Sequence, residues 1–300
     1  LLLLIFKAHG QDIDLFKIQD NEIKKADSQQ KEITKYTFKS SRIINGHSIE
    51  HIGSGILDFR IMHRFNPLNG GIEELYGLDG ATIRFGLDYG VTDRLTLGIG
   101  RSSFQKQYDG FIKYKILQQS TGYHSMPISI GYAGGINYKS AKEGTEDDGT
   151  INQLSYFSQL LIARKFNDYL SIQVSPTIVH YNRALYAENE NNLYAVGAGF
   201  RLSLSKRVNL TGEYFYQLNQ NQHKNAAIIA NKNLNYNTLS IGVDIETGGH
   251  VFQLHFSNST GMTERTFIHE TNNKWDDGGI RLGFNISRVF VIKKPKNLNL

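Results

Sequence analysis

The chain alternates apolar and polar positions along much of its length, most purely over Ala81–Ser103. Ala81, Ile83, Phe85, Leu87 and Tyr89 share one face, and Thr82, Arg84, Gly86, Asp88 and Gly90 share the other. After the polar turn Thr92-Asp93-Arg94 the pattern resumes, with Leu95, Leu97 and Ile99 opposite Thr96, Gly98 and Gly100. A period of two is the pleat of a β-strand, since successive side chains leave opposite faces of a sheet. Gly55–Phe65, Gly110–Leu117, Pro127–Tyr138, Ile151–Arg164, Tyr169–Tyr181 and Asn192–Leu204 read as further strands, as do Leu210–Leu218, Thr238–Ile245, Val251–Asn258 and Gly279–Phe290. With the two strands of the hairpin the chain holds about twelve. The register of Ile151–Arg164 stays open: either Tyr156, Leu160 and Ile162 or Phe157 and Leu161 face outward.

One such hairpin suits a soluble sandwich, apolar face to the core, as well as a membrane barrel, apolar face to lipid. The connections discriminate between them. They tend to alternate, long around 66–80, 139–150, 182–191, 219–236 and 259–278, and short at 91–94, 165–168, 205–208 and 246–250. Sorted loops over an even strand number indicate an up-and-down barrel with short periplasmic turns and long outer loops. Strands of ~9–11 residues, tilted, also match the thickness of a bilayer. The expected fold class is therefore all-β, an up-and-down antiparallel transmembrane β-barrel of about 12 strands in a Gram-negative outer membrane.

Composition narrows the function classes. The 300 residues include no cysteine, which excludes disulfides and thiolate metal sites, and only 4 prolines, which suits long hydrogen-bonded strands. The formal charge of +5 is spread along the chain, so nucleic acid is not an expected partner. Leu1–Phe6 followed by Lys7-Ala8-His9-Gly10 has the character of the apolar core and cleavage region of a signal peptide, which implies export. The expected layout is a signal remnant at 1–10, a periplasmic N-terminal segment and lead-in at 11–54, the barrel at 55–290 and a tail at 291–300. Residues 11–42 are polar, and a periplasmic partner could bind through them.

The stretch Tyr89–Ile116, together with Arg42–Glu50 upstream, resembles a family of outer-membrane β-barrel proteins of Bacteroidota known as a domain of unknown function. Arg101–Lys115 carries most of that likeness. The resemblance implies a fold and a location, and brings no catalytic residues.

If the apolar faces meet lipid, the lumen is lined by Asp58, Arg60, Arg64, Arg84, Asp88, Lys113, Lys115, Arg201, Glu213, Asp244, His255 and Arg281. Seven bases against four acids suggest a narrow pore with slight preference for small anionic solutes, blocked in part by arginines paired across inward glycines. The alternative is a closed structural or docking barrel of an envelope complex. A lipid-modifying enzyme is the weakest reading: His255 and Ser257 lie two apart on one strand but point into the lumen. His47 and His51 are four apart in a segment that does not look helical, so no metal site is expected, and no cofactor. Aromatic residues near strand ends (Phe65, Tyr89, Tyr138, Tyr169, Tyr181, Phe290) are expected to form girdles at the membrane interfaces.

Overall fold

In the computed structural model, residues 30–141, 149–183, 190–220, 235–247 and 250–293 are described. The expected signal remnant, the first part of the N-terminal segment and most of the C-terminal tail lie outside the described residues.

Alternating sequence becomes alternating burial in twelve strands: β1 (Ile56–Pro67), β2 (Ala81–Thr92), β3 (Leu95–Ser102), β4 (Gln107–Leu117), β5 (Ser129–Lys139), β6 (Leu154–Lys165), β7 (Leu170–Tyr181), β8 (Asn192–Ser203), β9 (Val208–Gln217), β10 (Thr238–Thr247), β11 (His250–Ser257) and β12 (Arg281–Val291). Each pairs antiparallel with its neighbours in sequence, and β12 closes on β1 with Ile286 opposite Ile61. Closure leaves no strand edge, so the backbone polar groups of the wall are satisfied within it, as hydrocarbon requires.

The outward row explains why these strands suit a bilayer. Phe85, Leu87, Leu97, Ile99, Ile112, Ile136, Ile241, Leu254 and Phe256 are all exposed on the outer surface. The register left open in β6 resolves: Tyr156 and Leu160 face out, while Phe157 and Leu161 are buried inside. Tyr181 departs from the expected girdle. It points inward and is buried, its hydroxyl donating to the Arg265 carbonyl at 3.1 Å.

The lead-in to the barrel departs further from expectation. It was expected as a periplasmic segment and lead-in, but residues 37–49, Lys39 apart, are buried within the barrel. Glu32–Ile33 first pairs with Ser120–Thr121 beside the short-turn end of β4 and β5. The chain then climbs the lumen and turns back, with Ile43 N–H donating to the Gly46 carbonyl (2.9 Å) and Ser48 N–H to the Ser41 carbonyl (3.0 Å). It leaves by way of Gly55, whose N–H bonds the Gly90 carbonyl at 2.8 Å, to begin β1. The physical reason is composition. This hairpin carries Phe38, Ile43, Ile44 and Ile49, too much apolar surface to leave in water, and its turn needs backbone partners that the wall supplies.

From the opposite end, the β11–β12 loop folds inward. Its short helix α1 (Glu264–His269) is buried throughout, and the ring of Phe267 meets that of Phe215 on β9 at 4.9 Å. Hairpin and loop therefore fill the bore from both ends.

Candidate functional site

The site is the lumen itself. All twelve residues expected to line it lie on the inner side of the wall, Lys115 and Arg281 nearer its ends and the rest deeply buried. Their neighbours are different from those expected. Long arginines were to cross an open bore and meet wall carboxylates. Arg84 does so, lying against Gly86 and Gly100 and binding Asp109 of β4 through Nε at 2.9 Å and through a second nitrogen. Arg60 pairs with Asp58 at 2.7 Å on its own strand. Arg201, Asp244 and Arg281 bond other groups of the wall, whereas Arg60, Arg64, Lys113 and Glu213 bond the hairpin.

That bonding is directed mainly at the hairpin's main chain. The Glu213 carboxylate accepts three N–H groups at the turn, from Ile44 (3.3 Å), Asn45 (2.8 Å) and Gly46 (3.0 Å). Gln253 donates to the Ile43 carbonyl (2.6 Å), Asn285 to that of Ile44 (2.9 Å) and Gln173 to that of His47 (2.7 Å). Lys113 reaches the carbonyls of Ser41 (3.2 Å) and Glu50, and the Ile52 N–H donates to Thr96 Oγ1 (3.3 Å). Side-chain contacts are fewer. Arg60 donates to Ser40 Oγ (3.0 Å) and Ser41 Oγ (2.8 Å), Arg64 to Asn45 Oδ1 (2.7 Å), and Asn45 to Ser240 Oγ (3.1 Å).

Where hairpin and loop meet, Arg42 binds Glu264 of α1 at 2.9 Å, with both side chains about 1–3% exposed. His47 Nε2 lies 3.3 Å from the same carboxylate, its ring edge-on to Phe111 and stacked on Phe157. Burial first, then the nearby Arg42 and Lys113, pushes that imidazole well below its usual range. The Arg42 cation is thus the hairpin's charge partner for Glu264. A buried pair of this kind adds little net stability, but breaking one side of it is costly, which fixes register.

Interior charge is nearly even. Arg42, Arg60, Arg64, Arg84, Lys113, Lys115, Arg201, Arg265 and Arg281 stand against Glu50, Asp58, Asp88, Asp109, Glu213, Asp244, Glu264 and Glu270. Sequence reasoning counted seven to four because it left Glu50, Asp109, Glu264 and Glu270 outside the lumen. Asp109 was the findable one: it stands two residues before inward Phe111 and four before inward Lys113, in register with them.

The remaining candidate chemistry separates. Ser257 Oγ accepts from Ser240 Oγ (2.9 Å) and from the Ser259 N–H (3.1 Å), and among the described residues no hydrogen bond joins it to His255, so the two form no dyad. His51 lies apart from His47, its Nδ1 3.4 Å from Thr96 Oγ1.

A family model described as a membrane-bound beta barrel domain (DUF5777) matches residues 38–290, from the luminal hairpin to the last strand. The chain belongs to that family. It is a membrane-bound barrel, and the hairpin lies within the matched domain. Among solved structures the family member is similar to the NanC porin (9% identity, TM-score 0.47, 78% of this chain and 98% of that one). It is similar also to the KdgM porin (10%, 0.46, 78% and 99%) and to the COG4313 outer membrane channel from Pseudomonas putida F1 (12%, 0.47, 81% and 98%). Likeness at this level bears on the shape of the chain and carries no argument about what passes through it. None of the curated proteins compared with it matches.

Proposed function

We propose that the protein is a small-conductance outer-membrane channel for small hydrophilic solutes, closed at rest by its own N-terminal hairpin. The observation that supports this is the non-covalent seal: residues 37–52 enter at the short-turn end and are held there by hydrogen bonds and an ion pair. A twelve-stranded wall is wider than the eight-stranded kind that side chains alone can fill, and here chain, not side chain, takes up the difference. The wall groups that grip the hairpin (Lys113, Gln173, Glu213, Gln253, Asn285) are all polar, so they suit a hydrated path once it moves. Near-balanced charge leaves only weak anion preference. A periplasmic partner that draws on the chain preceding Thr37 would open the path.

One observation favours a second reading, a permanently closed docking barrel. Phe38, Ile43 and Ile49 share an apolar cluster with Phe157, Leu161, Phe215 and Phe267, and pulling them out would expose it. We read the barrel as non-enzymatic in either case. The likeness of Arg42–Glu50 and Arg101–Lys115 to family members from Bacteroidota supports a source in that Gram-negative group.

Single-channel recording in planar bilayers tests the proposal. The native chain should show small, infrequent openings, and a variant with residues 37–50 replaced by a Gly-Ser segment of equal length should conduct steadily and several-fold more. A folded variant as silent as the native chain would favour the docking barrel.

A further inference from the structure

We infer that the lumen is a polypeptide-binding site, specific for a turned main chain, which the protein's own hairpin occupies in cis. This rests on the reading that the hairpin can leave the bore. A plug selected only to fill space would be held by packing and by its side chains. Here the wall groups that reach the hairpin bond chiefly its main-chain atoms. Glu213 takes three consecutive N–H groups at one turn, and Gln173, Gln253 and Asn285 each donate to a different carbonyl. These contacts come from β7, β9, β11 and β12, spread over half of the wall, and converge on one turn. Every peptide carries the same N–H and C=O groups, so such a site recognises backbone shape and tolerates many sequences.

Two features set limits on the ligand. A Cβ at Gly46 would lie 2.7 Å from the Phe215 ring, so the residue placed there must be small. Arg60 and Arg64 reach hydroxyl and amide oxygens of Ser40, Ser41 and Asn45, so polar residues flanking the turn add affinity. The ligand class is therefore an exported peptide or a polypeptide segment with a tight turn, a small residue at the turn and short polar residues beside it.

The test uses the full chain with residues 37–50 replaced by Gly-Ser, reconstituted in vesicles, and a fluorescent synthetic peptide of residues 37–50. The peptide should bind this variant and not the native barrel. Alanine at Ser40 and Ser41 should weaken binding less than tenfold, whereas N-methylation of the Asn45 and Gly46 amides, which removes two donors to Glu213, should weaken it more than tenfold. A scrambled peptide that binds equally, an N-methylated peptide that binds as well as the parent, or no binding at all would each overturn the inference. Conductance of the same variant without peptide is read separately. Steady conductance without peptide binding would refute this inference alone, while binding without conductance would refute the channel reading and leave the site standing.

Discussion

The wall from β10 round to β3 and the wall from β5 to β8 enclose the same space with different chemistry, the first rich in buried charge and the second mostly uncharged and partly apolar. On the first, the inward row runs Ser240, Asp244, Gln253, His255, Asn285, Asp58, Arg60, Arg64, Arg84 and Asp88. On the second, Ala133, Phe157, Leu161, Ala163, Val179, Leu193 and Ala195 are interspersed with uncharged polar residues such as Ser155, Gln159, Ser171, Gln173 and Thr177, and Arg201 is the one buried charge among the described residues there. An inner face in contact with bulk water has no reason to be apolar, and an inner face packed only against apolar chain has no reason to carry buried arginines. The hairpin accounts for both. It turns its apolar side chains, Phe38, Ile43 and Ile49, into a cluster with the second half, and its polar side chains Ser40, Ser41 and Asn45, with the carbonyls of Ile43 and Ile44, toward the first. The difference teaches that the lumen is shaped to a resident chain: the second half supplies most of the apolar burial, and the first most of the buried charge.

If the polar half sets register through buried charge, removing one member of a pair should be the most damaging change. Arg60→Met leaves Asp58 buried without its cation and should cost about 3–5 kcal/mol, and adding Asp58→Leu should restore most of it. Urea titrations in lipid vesicles read both, and a single variant as benign as the double would show that the pair is not desolvated.

If the other half is a true core, Phe157→Ala should leave a cavity beneath His47 and cost about 3 kcal/mol by the same titration. A cost near zero would mean that this half faces water and that the hairpin does not pack on it.

The outer face provides the contrast to both halves. Ile241→Arg, directed at lipid, should cost about 2–4 kcal/mol if it lies near the membrane midplane. Tolerance of that arginine would reverse inside and outside.

The smallest expected effect isolates the grip from the fold. Glu213→Gln keeps the side chain's shape but removes the charge that accepts three N–H groups, and should cost about 1–2 kcal/mol while raising open probability in bilayers. Unchanged gating would separate Glu213 from the seal.

Much of the architecture was legible because a membrane wall is written in period two. Strand number, closure and the inward direction of Arg84, Glu213 and Arg281 all follow from alternation. The hairpin was not legible, for a physical reason. Arg42–Gly53 forms only an isolated bridge between Arg42 and His47, so it carries no strand periodicity, and its partners are scattered over many strands that only the closed barrel brings together. One signal was present in β6. Phe157 and Leu161 alternate against Tyr156 and Leu160 so that both faces are apolar, which left the register ambiguous. Two-faced apolarity marks a strand buried on both sides, and in a membrane wall that means something solid stands inside. Inward glycines mislead in the same way. Gly98 and Gly197 were expected to leave room for arginines, but the rings of Phe111 and Phe215 occupy that space, so Gly98→Ser is a packing change and not a harmless one.

The central claim is that residues 37–52 stand inside the barrel, and a cross-link tests it most directly. The native chain has no cysteine, so Asn45→Cys with Ser240→Cys creates one reactive pair, at positions whose side chains meet at 3.1 Å across the lumen. Ser240→Cys with Ser257→Cys, on adjacent strands and in contact at 2.9 Å, serves as the control. In isolated outer membranes a short bifunctional thiol reagent should link both pairs. The first should then migrate faster on a denaturing gel, since it closes a loop across 195 positions of sequence, and should lose conductance. Efficient linking of the control with none between positions 45 and 240 would contradict the account.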